Sequence, residues 1–205
     1  MQAAMKGEPA TELDVSGLPS YKFSHHSLMW WGVMGLIAVE GFTFALTIGA
    51  YLYIWSQAKF WPGAPPPELF WGTLNLALLL ASAWPNHWTK HAGEDGDERR
   101  IKIGLVVCVA FGIALLVVRG FEFAHLNVRW DHNAYGSVVW VLLGLHTLHL
   151  ATDVFDTAVL AALFFIGPVE GKRHVDVSEN GMYWYFVVFA WIPVYAVIYW
   201  APRLL

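Results

Sequence analysis

The sequence contains little charge and a single cysteine. Asp, Glu, Lys and Arg make up 14% of its 205 residues, compared with about 25% in soluble domains. Cys108 is the one cysteine and stands in an apolar stretch, which excludes a disulfide framework and a CxxC redox pair. The net charge of −4 is small, so the composition gives no indication of a nucleic-acid partner.

Sequence motifs of the common catalytic centres are missing as well. The chain has no CxxCH haem attachment motif, no Cys-rich copper motif and no glycine-rich phosphate loop. No set of Ser, His and Asp residues indicates a catalytic triad. We therefore expect no metal site, no cofactor bound by this chain and no independent catalysis.

Apolar and aromatic residues are abundant instead. Hydrophobic residues make up 57% of the chain, with twelve Trp and thirteen Phe, and such aromatics are typical of membrane-interface belts. Five apolar runs are long enough to span a bilayer of about 30 Å as helices. The predicted spans cover residues 27–56, 69–88, 101–125, 135–166 and 181–201. The predicted fold class is all-α integral membrane, a bundle of five transmembrane helices.

The polar N-terminal segment, residues 1–24, has no short apolar core and predicts a cytoplasmic tail. The membrane domain is predicted to cover residues 25–205. Five spans place the two termini on opposite sides, with eight Lys and Arg on the N-terminal side and three on the other. This bias predicts a cytoplasmic N-terminus and an external C-terminus.

Glu40 is the most informative residue, because it lies deep within the first apolar run. An ionised carboxylate near the middle of a bilayer is costly and usually faces polar groups of the protein interior. By position along the spans, His146 or His149 is its expected partner, and a hydrogen bond between them would lower the cost of burying both.

The fourth run carries His146, His149, Asp153 and Asp156 at helical spacing, so that they form one polar stripe. We interpret the stripe chiefly as an interhelical hydrogen-bonding surface. Contact with a lipid head group, proton relay, and metal or haem binding stay open. A haem is hard to place here, because His146 and His149 are three residues apart and lie on the same face of one helix. A metal ion would need one or two further ligands.

Two other groups of titratable residues are candidates. Arg119 and Glu122 are three residues apart near the outer end of the third helix and predict an ion pair. His25 and His26 lie at the cytoplasmic mouth of the first span. Imidazole titrates near neutral pH, so this pair could collect protons, although simple interfacial anchoring also explains it.

Several short motifs, taken in order, resemble the cytochrome c oxidase subunit 3 family of haem-copper oxygen reductases. They cover residues 25–201 and comprise Trp31-Gly32, Val39-Glu40, Phe42-x-Phe44, Leu74-Asn75, Ala81-Ser82, Phe121-Glu122-Phe123, Tyr135-Gly136-Ser137, Gly144-Leu145-His146-Thr147-Leu148-His149, Glu179, Tyr183-Trp184-Tyr185-Phe186, Trp191 and Tyr199-Trp200. The chain resembles the five-helix bacterial form. It departs from the family pattern at Val39, Thr147, Tyr185 and Val188, where Ser, Gly, His and Asp are usual.

The resemblance implies a non-catalytic subunit of a bacterial terminal oxidase in the cytoplasmic membrane. Subunit I is the main implied partner and subunit II a further candidate, with haem and copper held by these partners. The implied roles are stabilisation of subunit I, support of proton uptake and binding of structural phospholipid.

Other functions stay open at this point. The chain could serve a quinol oxidase or a nitric oxide reductase. It could also be a free-standing membrane haem protein using His125, His146 and His149 as ligands, or a proton-coupled transporter built around Glu40 and the polar stripe. The absence of inverted repeats and broken spans disfavours a common transporter design.

Overall fold

The computed structural model describes residues 22–63, 65–167 and 171–204, and most of the predicted tail, residues 1–21, lies outside them. Within these ranges the chain forms five long helices. They are α1 (Leu28–Gln57), α2 (Leu69–Asp95), α3 (Glu98–Ala124), α4 (Ala134–Ile166) and α5 (Gly171–Tyr195). A 3₁₀ turn, Ser24–His26, precedes α1, and α5 continues through a π-helical turn, Ala196–Trp200, into the short α6, Ala201–Leu204. The all-α prediction is confirmed.

Local capping defines several helix ends. The side chain of Asp97 accepts a hydrogen bond from the Arg100 amide at 3.1 Å, and that of Asn133 accepts one from Gly136 at 2.7 Å. Gly96 adopts a left-handed conformation (φ 74°) that ends α2. Both α2 and α5 are longer than the predicted apolar spans, because hydropathy detects the apolar part of a helix and misses its polar turns.

Four helical segments are long and apolar enough to cross a membrane, namely α1, α3, α4 and Gly171–Leu204. The chain is therefore a multi-pass membrane protein. Helix α2 is not among these candidates, although it has 27 residues. It is less apolar because it buries polar side chains against its neighbours: Asn75, Ser82, Asn86 and Thr89.

Helix α2 packs against both α3 and α5, and α4 also packs against both α3 and α5. Polar contacts join α2 to α5 along its length. Trp184 donates to the Ser82 hydroxyl at 2.9 Å, and the amide of Asn86 donates to the carbonyl of Gly181 at 2.9 Å. Helix α1 packs mainly on α4 and α5 and leaves much of its own surface exposed. It therefore lies at the edge of the bundle.

Two glycines of α3 allow close contact with neighbouring helices. A Cβ atom on Gly104 would lie 2.2 Å from Thr89 Oγ1 of α2, and one on Gly112 would lie 2.4 Å from Val154 Cγ2 of α4. Such small residues let membrane helices approach each other without an intervening side chain.

We expect Gly112→Ala to lower the free energy of unfolding in detergent by about 1–3 kcal/mol, because the added methyl group forces α3 and α4 apart. The matched control is Gly120→Ala on the same helix, since a Cβ atom there meets nothing within 4 Å. Thermal and denaturant unfolding of the purified chain measures both. Equal stability of the two variants would contradict close packing at Gly112.

Candidate functional site

A buried ion pair in α3 is the centre of the polar interior. Nη1 of Arg119 lies 2.8 Å from Oε2 of Glu122, and each side chain is only 1% exposed. The spacing of three residues brings both side chains to one face of the helix. Burying two charges is costly, so this arrangement is stable only if further hydrogen bonds satisfy the remaining polar atoms.

Other helices supply those hydrogen bonds to Glu122. The amide of Asn75 in α2 donates to Oε2 at 3.1 Å. The hydroxyl of Tyr199, in the π-helical turn after α5, donates to Oε1. Both carboxylate oxygens are therefore engaged, and the acid joins three segments of the chain.

Arg119 is held from the opposite side by α4 and α5. Its Nη2 lies 3.1 Å from Nδ1 of His146, and its guanidinium carbon lies 3.8 Å from the ring centroid of Trp191, within the range of a cation–π interaction. The Nε2 of His146 is 3.0 Å from the carbonyl of Val187. A carbonyl can only accept, so Nε2 carries the proton and Nδ1 accepts from arginine, which assigns a neutral imidazole.

Glu40 lies in a second polar group, between α1, α4 and α5. The Tyr183 hydroxyl donates to its Oε2 at 2.6 Å, and Nε2 of His149 is 3.6 Å from its Oε1. The other ring nitrogen of His149 donates to the carbonyl of Leu145 at 2.7 Å. Nε2 of His149 is therefore the ring nitrogen that faces Glu40.

The polar stripe of α4 is divided between these two groups. His146 lies in the centre with Arg119, and His149 faces Glu40. Asp153 is 2% exposed, whereas Asp156 is exposed. Both aspartates line a groove of about 600 Å³ between α1, α4 and α5, together with Glu40, Asp176 and Glu179.

The His25 and His26 side chains lie in the 3₁₀ turn before α1. Both are exposed, and their ring centroids are 3.8 Å apart. The carbonyl of His25 accepts a hydrogen bond from the indole of Trp31 at 3.0 Å, which secures the turn to α1. The pair is thus accessible at the end of the bundle where α1 begins.

A polar group at the end of α2 links this helix to α5. Lys90 forms an ion pair with Glu94, which also accepts from the Ser178 hydroxyl at 3.0 Å. Partial burial by itself would raise the pKa of Glu94, but the hydrogen bond and positive charge of Lys90 outweigh it, so this pKa is lowered. Nearby, the hydroxyl of Tyr185 lies 2.9 Å from Nδ1 of His87. Tyr185, which stands where the family has His, therefore also forms a hydrogen bond to α2.

Four residues that complete these groups had no predicted role: Asn75, Tyr183, Trp191 and Tyr199. The sequence did contain a signal for them, because a Tyr, Trp or Asn within an apolar helix favours a polar contact when it is buried. For Trp191 that contact is made by the ring face and not by the indole N–H. The partner itself could not be read from the sequence, since Tyr183 and Glu40 are 143 residues apart. Among the described residues, no group of three or more His, Cys, Asp or Glu is arranged to hold a metal ion.

Comparison with known proteins identifies the family of this chain. The family model for cytochrome c oxidase subunit III matches residues 66–202, well over half of the chain. The chain belongs to the cytochrome c oxidase subunit III family. The family resemblance deduced from the motifs is therefore confirmed, and with it a place in respiratory electron transport.

Individual relatives extend the match. A cytochrome c oxidase subunit 3 from Synechocystis sp. is 26% identical over 198 residues, covering 93% of this chain and 84% of the relative. The proteins of the same name from Pylaiella littoralis and Triticum aestivum are 29% and 28% identical, over 66% and 62% of this chain. The chain spans only about half the length of these two relatives, 52% and 48%.

We expect Arg119→Met to destabilise the chain by about 3–5 kcal/mol, because it leaves Glu122 charged and buried without its cation. The control is Arg129→Met, which breaks an exposed pair with Asp131 and should cost less than about 1 kcal/mol. The free energy of unfolding in detergent measures both.

The double variant Arg119→Met/Glu122→Leu should recover part of the lost stability, because it removes both charges together, although Asn75 and Tyr199 then lose their acceptor. A double variant as unstable as the single one would show that the lost hydrogen bonds and packing cost as much as the unpaired carboxylate.

Proposed function

We propose that this chain is a non-catalytic subunit III of a bacterial haem-copper terminal oxidase in the cytoplasmic membrane. Its role is to stabilise subunit I during turnover and to support proton uptake. The observation that carries the proposal is the interhelical contact of Glu40 with Tyr183 and His149, within a chain of the subunit III family. Haem and copper are held by the partner subunits. Subunit I is the main partner, and subunit II is a further candidate.

The bonding of the polar interior supports a structural role. Arg119, Glu122 and His146 direct their polar groups at one another and at neighbouring helices. Residues bonded in this way hold the helices together. Moving one of these side chains to take part in a reaction would leave buried polar groups without hydrogen-bond partners. The Glu40 group instead lies beside an open groove, where a proton or a partner has access.

We propose five spans, α1 to α5, with the N-terminus in the cytoplasm and the C-terminus outside. The asymmetry of Lys and Arg, eight against three, supports this orientation. The hydrogen bonds and packing of α2 against α3 and α5 support its inclusion as a span. Under this orientation His25 and His26 face the cytoplasm, where protons are taken up.

A structural phospholipid is proposed at the groove between α3 and α4. This groove, about 610 Å³ in volume, is lined by Glu98, Arg99 and Lys102 and by apolar walls that include Ile103, Val106 and Phe165. Nζ of Lys102 lies 3.7 Å from Oε2 of Glu98, so the two cations exceed the acid by one. Cationic side chains above an apolar wall suit a phosphate group followed by acyl chains. Phosphorus analysis of the purified complex measures the bound lipid.

We expect Glu40→Ala to shorten the active lifetime of the oxidase during turnover without abolishing its haem spectrum. The physical reason is that α1, an edge helix, loses its hydrogen bond from Tyr183 and its contact with His149. Tyr183→Phe should give a smaller effect, since it removes one hydrogen bond. The measurement is oxygen consumption over time by the tagged complex, with its visible spectrum and subunit composition.

The matched control is Glu68→Gln, an exposed acid before α2. A Glu40→Ala complex with unaltered lifetime and assembly would count against the proposed role. Purification of the wild-type chain without a haem-copper subunit would count against the function itself.

We expect His25→Gln/His26→Gln to slow turnover more at pH 8 than at pH 6.5. Bulk protons are scarcer at high pH, so loss of an exposed group that collects them has a larger effect there. Initial rates of oxygen consumption across this pH range measure the effect, with His132→Gln on an exposed loop as the control. A uniform loss of rate at every pH would indicate anchoring and not proton collection.

A further inference from the structure

The groove between α1, α4 and α5 is strongly acidic. Five carboxylates line it, and no Lys or Arg does so among the described residues: Glu40, Asp153, Asp156, Asp176 and Glu179. Asp153 lies close enough to Asp156 and Glu40 for their charges to interact. A cation among these carboxylates would offset both their mutual repulsion and the cost of burying those that are ionised, so the groove favours a positively charged occupant.

Two of these acids are buried and have unused oxygen atoms. Asp153 and Glu179 are 2% and 4% exposed. Within the described part of the chain, Oδ2 of Asp153 and both carboxylate oxygens of Glu179 have no hydrogen-bond partner. A buried acceptor without a partner costs free energy, and both residues line the groove. These oxygens are enclosed by the protein, but the side chains that carry them line the groove. A donor that enters the groove therefore reaches them once these side chains turn toward it.

Nearby positive groups of this chain are engaged elsewhere. Lys90 forms its ion pair with Glu94, and Arg173 donates to the carbonyl of Leu163 at 2.7 Å. His149 faces Glu40. The charge of Lys90 attracts Glu179, and the charge of Arg173 attracts Asp176. Neither cation, however, lines the groove.

The walls of the groove restrict the chemistry of the occupant. They are apolar and formed by Met29, Val33, Leu36, Val159, Leu160 and Leu163. A hydrated metal ion would gain nothing from them, and a phospholipid would bring its phosphate among five acids. A long aliphatic stem that ends in one positive group fits both the walls and the carboxylates.

Such a group is the side chain of lysine or arginine. We propose that this groove receives a Lys or Arg side chain from another subunit of the oxidase, which inserts between α1 and the α4–α5 pair. The inference rests on the proposed function, because it requires a partner subunit. The acids extend from Asp176 to the level of Tyr183, about 10 Å along α5 at 1.5 Å per residue, which is enough depth to hold an extended side chain.

The test uses the whole complex with a photoreactive residue in the groove. p-Benzoylphenylalanine in place of Leu36, which is exposed and lines the groove, should cross-link to a partner subunit within about one helical turn of a Lys or Arg. Peptide mass spectrometry identifies the site. The control is the same residue in place of Leu46, which is exposed on α1 but lines a different surface.

Charge removal provides the second measurement. Asp153→Asn/Asp156→Asn should lower the yield of this cross-link and the retention of the partner about tenfold or more, because the cation loses its counter-charges. Asp95→Asn, an exposed acid outside the groove, should change neither. Replacing the identified Lys or Arg by Gln should give the same loss, without adding to that of the double variant.

Three results would overturn the inference: a cross-link to phospholipid, to this chain itself, or to a partner segment lacking Lys and Arg. An unchanged yield in a folded double variant, checked by helical circular dichroism, would also do so. These outcomes leave the oxidase function intact if haem-copper subunits still co-purify. A wild-type chain that purifies without any oxidase subunit would overturn both proposals.

Discussion

The pairing of Arg119 with Glu122 is the interaction on which the arrangement of the helices depends. Two buried charges require polar partners. Here α2, α4 and the π-helical turn after α5 supply hydrogen bonds, and Trp191 of α5 supplies a cation–π contact. Each helix contributes few polar groups, so an alternative packing would leave one or more of them unpaired in an apolar interior. The cost of that state, more than the strength of any single bond, selects this arrangement.

The polar residues of the protein form two regions with different properties. Around Arg119 most donors and acceptors bond to one another within a closely packed region, although Nε of Arg119, Oδ1 of Asn75 and the indole N–H of Trp191 have no hydrogen-bond partner among the described residues. In the groove beside Glu40, acids outnumber donors, and buried oxygens of Asp153 and Glu179 have no partner among the described residues. A closed region stabilises the fold, whereas an unbalanced and open one is suited to interaction with another molecule.

Helix α1 lies between the acidic groove and the outer surface of the bundle. It lies at the edge of the bundle and its polar contact with the rest passes through Glu40. The groove separates α1 from part of α4 and α5, so a group bound there would change the position of α1 relative to these two helices. The proposed binding of a partner's Lys or Arg in this groove would therefore also affect the packing of α1.

The amino-acid sequence was sufficient to predict the helical class, the approximate positions of the apolar runs and the family, because hydropathy, spacing and short motifs are local properties. It also indicated that Glu40 and the α4 stripe need polar partners. The identity of those partners became known only from the packed helices: Tyr183 beside Glu40, Arg119 beside His146, and Tyr199 beside Glu122. These residues are distant in the chain and meet only when the helices pack, so helical periodicity gives the face of each residue but not the helix it faces.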